Sequence, residues 1–223
     1  MSGFSERARA YFRDRAIYPA AVAKAGVCEQ AGAIVFSFLA EDGTSFERRR
    51  SLDGGPAKVM QPKGQPLTVW WPTGRPDTAP WVLVCEGESD ALAAMSALSA
   101  AASSDVPYLR KAATTLGLGA LPVVAVPGCG FPPAKLAEAL SAVGCIEARL
   151  ACDADEAGQA YTDRAAVELV KAGIRPFRVH VRDGSDIAAD AAHADNRGDW
   201  IANVLADAEP LTGVALHLAK EAA

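Results

Sequence analysis

Four short apolar runs stand out along the second half of the chain, at residues 82–85, 123–126, 146–152 and 177–181. Each is apolar nearly throughout rather than alternating, which is how a strand reads when both faces of a parallel sheet are covered. Helix-like stretches fall between and after them, at 91–102, 134–143 and 159–172. Strands alternating with helices predict βαβ units and a mostly parallel sheet. Upstream, residues 5–24 carry helical spacing with Tyr11, Phe12 and Ile17 on one side. Residues 33–39 and 45–50 predict two strands joined at Asp42-Gly43, a hairpin-turn pair. From Asp53 to Pro80 the chain is punctuated by glycine and proline, which places a boundary near 73–79. The tail, 200–222, reads as helical with interruptions at Pro210 and Gly213. The expected organisation is a small α+β subdomain over 1–78, a parallel α/β domain over 79–192 and a helical extension over 193–223.

The predicted strands differ in what they deliver at their carboxyl ends, where open parallel sheets bind ligands. The first, within VLVCEGESDALA, runs into Glu86, with Asp90 one helical turn further on. The third, within RLACDADEAGQ, delivers Asp153 and Asp155, and the fourth, within VRDGSDIAAD, delivers Asp183 and Asp186. The second ends in PGCGF, a glycine-rich loop suited to close backbone approach. Clustered carboxylates raise one another's pKa unless cations compensate, and a set of hard oxygens suits Mg²⁺ or Mn²⁺. Asp153 and Asp155 lie on the same side of an extended backbone, so both can reach one metal cluster. The expectation is that divalent cations, rather than neighbouring arginines, neutralise these acids. Glu88 and Asp90 also fit the ordinary preference for acids at a helix start.

Composition narrows the picture. The chain has 223 residues, is half hydrophobic and carries a formal charge of −5, which argues against indiscriminate coating of DNA. Nucleic acid held through metal ions and a local basic patch remains open. Cys28, Cys85, Cys129, Cys145 and Cys152 never fall in a CxxC spacing, so a zinc ribbon is not expected and reduced thiols are. No apolar run reaches membrane-spanning length, and MSGFSERARAYFRDR is not a signal peptide, so a cytoplasmic protein is expected.

The order EGxxD, DxD and GxD, each after an apolar run, resembles the three acidic motifs of the Toprim domain. That domain is shared by topoisomerases, bacterial and phage primases and some nucleases. The resemblance covers 81–190. It implies a Toprim-type parallel sheet flanked by helices, with Glu86, Asp153 and Asp155 catalytic, and with these three and Asp186 binding Mg²⁺ or Mn²⁺. The third motif reads Gly184-Ser185-Asp186 where the family usually has a lysine-aspartate or similar pair. The upstream segment GAIVFSFLAEDGTSFERRRSLDGGPAKVMQPKG is similar to the one preceding Toprim in primases of the bacterial and phage primase-helicase type. This implies Arg50 and Lys58, with Arg48 and Lys63, as nucleotide- or template-binding positions. On the residues alone, Arg48-Arg49-Arg50 on a strand puts two arginines on one face and one on the other, either for phosphate contacts or to blunt a sheet edge. Trp70 and Trp71 fit base stacking or cover for a domain junction.

The resemblance therefore implies a DNA primase catalytic core that joins NTPs into short RNA primers on a single-stranded DNA template. The cysteine spacing leaves no zinc module, and there is no GxxxxGK[ST] loop for a helicase, so a separate helicase or template-recognition protein is the expected partner. A Toprim nuclease, or a non-catalytic module that binds nucleic acid or a partner, stands as the alternative.

Overall fold

The computed structural model describes residues 3–40, 42–53, 59–105, 107, 110–111, 121–182 and 185–221. Helical spacing at the start resolves into two helices rather than one, α1 (Glu6–Asp14) and α2 (Pro19–Lys24). Ala16 sits at φ 56 between them, in the left-handed region, and Pro19 then starts α2 at a position where no amide is missed. Ser5 caps α1 by accepting from the Ala8 N–H, and Phe12 anchors the helix in the core.

The first sheet is antiparallel, in the order β1 (Cys28–Gln30), β2 (Ala33–Leu39), β3 (Ser45–Ser51), β4 (Val59–Met60). β2 and β3 fall where the sequence places two strands, over 33–39 and 45–50, with β3 one residue longer. Their hairpin turns where expected, with Gly43 at φ 82 and the Asp42 carboxylate accepting from the Thr44 N–H at 2.9 Å. β1 and β4 are three and two residues long, too short to leave a periodic trace.

The second sheet has the order β6 (Val123–Ala125), β5 (Trp81–Cys85), β7 (Glu147–Ala151), β8 (Arg175–Arg178), β9 (Glu209–Pro210), parallel except for β9. The interleaved helices are α3 (Glu88–Ala102), α4 (Pro133–Ser141), α5 (Glu156–Lys171), α6 (Ile187–His193), α7 (Arg197–Ala206) and α8 (Thr212–Glu221). This is an α/β fold with a parallel-rich sheet between helical layers. α3 packs with α6 and α7, and α5 packs with α4 and α8. β5 feeds both layers. Leu83 and Cys85 enter the core under α3, whereas Val82 and Val84 enter the one with Leu136, Leu150 and Leu169.

Two expectations shift. β8 begins two residues before the apolar run, at Arg175, because the parallel register pairs Glu147 with Arg175. The tail is not simply helical. Pro210 lies in the edge strand β9, where a missing N–H is tolerated, and Gly213 belongs to the first turn of α8 rather than breaking it. The residues after 193 pack onto helices of the second sheet, and the first core joins Phe12, Phe36, Phe38 and Trp70 to α3 and α7. Trp70 is also bonded into the edge of the second sheet, exchanging both backbone hydrogen bonds with Ala125 at 2.8 Å, and its indole N–H reaches the Ser37 carbonyl. It therefore covers the junction and is unavailable to a base. No helix among the described residues is long and apolar enough to cross a membrane.

Candidate active site

The parallel register sets Cys85 beside Ala125 on one side and Ala151 on the other, so Glu86 and Asp153 leave the sheet next to one another. The Asp153 N–H donates to Glu86 Oε2 at 3.2 Å. Four acids are oriented in the same manner, each through one oxygen and one backbone amide. Besides Glu86, Asp155 caps α5 by accepting from the Gly158 N–H at 2.8 Å. Asp186 caps α6 through the Ala189 N–H at 2.6 Å, and Asp90 accepts from the Ala188 N–H at 3.2 Å. A strand end or a helix start holds each of them in place.

Electrostatics tie the group together. Burial, then Glu86, Asp186 and Asp155, push Asp153 up to about 7. Burial, then Asp186 and Asp153, push Asp90 up to about 8, and Arg50 offsets only part of this. Asp90 thus belongs with the acids of the other motifs, although its place at a helix start has an ordinary explanation in the sequence. Among the described residues, no three His, Cys, Asp or Glu side chains close on a point that would hold an ion by themselves. Asp183 and Lys58 lie outside the described residues.

Behind Glu86 lies a polar layer of half-buried Cys129 and buried Cys152 and Tyr161. The Cys129 thiol, from the PGCGF loop, donates to the Glu86 carboxylate, and burial together with that contact raises its pKa. Burial pushes Cys152 up to about 12. These thiols stay protonated and are poor nucleophiles. The buried Tyr161 hydroxyl faces the same group and has no hydrogen-bond partner among the described residues.

The basic strand divides as its period requires. Arg48 and Arg50 face α3, whereas Arg49 points the other way, to Gln30 and Glu47. Arg48 does not face the acid edge as a phosphate ligand. It is 8% exposed and forms a buried ion pair with Glu88, itself 4% exposed. This corrects the expectation that divalent cations, rather than arginines, neutralise the acids after β5, since Glu88 has an arginine from the first sheet. The signal was obscure because the two lie 40 residues apart. Arg50 does reach the site, donating from Nη1 to Ser89 Oγ at 3.3 Å beside Asp90. Lys63 is exposed in the turn that joins Pro62 to Gln65.

Residues 83–191, just under half of the chain, match a family model described as Toprim-like. No curated protein sequence matches the chain. Among solved structures, the zinc-binding and RNA polymerase domains of Aquifex aeolicus primase match with a TM-score of 0.65 at 14% identity, over 97% of this chain and 59% of that one. The Escherichia coli primase catalytic core matches with a TM-score of 0.63 at 14% identity, over 96% of this chain and 76% of that one. The primase fragment of the bacteriophage T7 primase-helicase matches with a TM-score of 0.58 at 18% identity, over 83% and 70%. The chain thus carries a Toprim-like domain. Its fold resembles that of primase catalytic cores over 83–97% of the chain.

Proposed function

We propose that this protein is a primase-type catalytic core, a metal-dependent nucleotidyltransferase that makes short RNA primers on single-stranded DNA. The observation that carries the reading is the position of Arg50, a cation of the first sheet held beside the carboxylates of the second. A Toprim-like domain alone serves several chemistries. A basic side chain opposite the acids suits a triphosphate substrate, whose own charge needs compensation. The fold likeness supports the same reading because it extends over the first sheet.

The donor set fits Mg²⁺ or Mn²⁺. It consists of carboxylates whose mutual repulsion is only partly compensated, four of them with one oxygen tied to an amide. Glu86, Asp153 and Asp155, with Asp186 and Asp90, would hold the ion, and water and substrate phosphate would complete its shell. When bound, the ion would acidify the attacking 3′-hydroxyl and neutralise the leaving pyrophosphate. Arg50 and Lys58 would grip the triphosphate, with Lys63 further out along the template. Arg48 takes no direct part, being engaged with Glu88.

The test is a primer-synthesis assay with single-stranded templates, labelled NTPs and Mg²⁺ or Mn²⁺. Asp153→Asn is expected to abolish synthesis. Arg50→Ala is expected to lower it by about tenfold, the scale of one charged contact, without changing metal binding. Cleavage of nucleic acid in Mn²⁺ without synthesis, equal in Arg50→Ala, would replace this reading with a nuclease. Binding without either activity would leave a non-catalytic module.

A further inference from the structure

Beside the acid edge, the ring of Tyr11 on α1 carries two guanidinium groups. Arg15 Cζ lies 4.3 Å from the ring centroid and Arg50 Cζ 5.7 Å. Neither arginine forms an ion pair among the described residues, although arginines 7, 9, 13, 48 and 49 all do. The Tyr11 hydroxyl is hydrogen-bonded to Ser89 Oγ, the same atom that accepts from Arg50 Nη1. The ring and hydroxyl therefore act on Arg50 from two sides, the ring by cation–π attraction and the hydroxyl through the shared serine. Two like charges on one ring repel. Among the described residues, the aromatic face and Ser89 hold Arg50 near Asp90, whose carboxyl group also attracts it.

We propose that Tyr11 is a positioning residue that holds the Arg50 guanidinium, which has no ion-pair partner among the described residues, beside the acid cluster so that it can receive a phosphate group. The inference rests on the reading of Arg50 as a phosphate-binding side chain, but the positioning itself is separately measurable. Tyr11 is contributed by a helix that shares no strand with either sheet, so α1 belongs to the site rather than merely covering it. A tyrosine suits the task better than a phenylalanine, because the hydroxyl fixes the serine that fixes the arginine. It also suits the task better than an acid, which would pair with Arg50 and occupy it.

Two measurements decide the matter. Arginine side-chain NMR on the full chain, with the Arg50 resonance assigned by its loss in Arg50→Lys, reports how freely the guanidinium rotates. Restricted rotation is expected in the wild type, free rotation in Tyr11→Leu and intermediate behaviour in Tyr11→Phe, which keeps the ring and loses the hydroxyl. Fluorescence anisotropy with a labelled oligothymidylate reports the consequence. Tyr11→Leu should weaken binding by about three- to tenfold, the scale of a cation–π contact, and should add no further loss in an Arg50→Ala background. Free rotation of Arg50 in the wild type overturns the proposal, as does rotation unchanged by Tyr11→Leu, or an equal loss of binding in both backgrounds. If the wild type binds no oligonucleotide while Arg50 is released by Tyr11→Leu as expected, the functional reading falls and the positioning stands.

Discussion

Asp90 and Asp153 are acids kept above their usual range by burial and by neighbouring carboxylates, Asp186 foremost for Asp90 and Glu86 for Asp153. Their ordinary values lie near 4, so between about pH 4 and pH 8 the native state binds more protons than the unfolded chain does. Stability from these groups is fully present below about pH 4, falls steadily as pH rises from there, and is gone above about 7 for Asp153 and about 8 for Asp90. In a chelator, the melting temperature of the wild type should therefore fall between pH 6 and pH 9. Asp90→Asn, which keeps an oxygen for the Ala188 amide, should fall less steeply and be the more stable protein at pH 9. Identical slopes in thermal melts would remove Asp90 from the cluster. Gly158 offers a second test at this scale. A Cβ there would lie 2.2 Å from the Asp153 carbonyl oxygen, closer than any packing allows. Gly158→Ala should lower stability by about 1–3 kcal/mol, as overpacking does, and should also blunt any melting shift on adding Mn²⁺, because the displaced backbone is that of Asp153. A variant that melts and responds as the wild type does would show that the backbone yields without moving the acid.

Helix α3 gathers the site. Its first turn gives Glu88 to Arg48, Ser89 to Tyr11 and Arg50, and Asp90 to the Ala188 amide. Removing one partner of a buried pair leaves a charge without compensation, so Arg48→Ala should cost about 3–5 kcal/mol. The double change Arg48→Met with Glu88→Leu should recover most of that loss in denaturant unfolding. If it recovers nothing, Arg48 acts through its packing on Phe38, whose ring lies 5.4 Å from its Cζ. The parallel strands and their order of acids were legible in the sequence because uninterrupted apolar runs are a local signal and acids after them interrupt it. The hairpin was legible for a similar reason, since Asp42-Gly43 carries its own turn chemistry. What was not legible was tertiary. The partner of Glu88 depends on which strand packs over α3, and Tyr11 looked like an ordinary apolar position on an amphipathic helix. The split between α1 and α2 was missed because an alanine, not a glycine, adopts the left-handed conformation at position 16.

For the molecule as a whole, the acid edge predicts a metal-dependent stability. A ligand that binds only the native state raises its melting temperature, so Mg²⁺ or Mn²⁺ should do so here, and Asp153→Asn should remove most of the gain while melting cooperatively without metal. An undiminished shift in the variant would take Asp153 off the ligand list. The shared core beneath α3 has a further consequence, for the order in which the chain can assemble. Tyr11 finds Ser89, and Tyr18 finds Ser96, each across 78 residues. Phe12, Phe36 and Phe38 join the same core as Leu92 and Ile201. During synthesis the amino-terminal helices and first sheet therefore emerge well before the helix that covers them, with their aromatic side chains facing water. Contacts this distant slow folding and lengthen the exposure of sticky surface. The arrangement that sets Arg50 beside the acids thus leaves the first eighty or so residues dependent on the rest of the chain until α3 arrives.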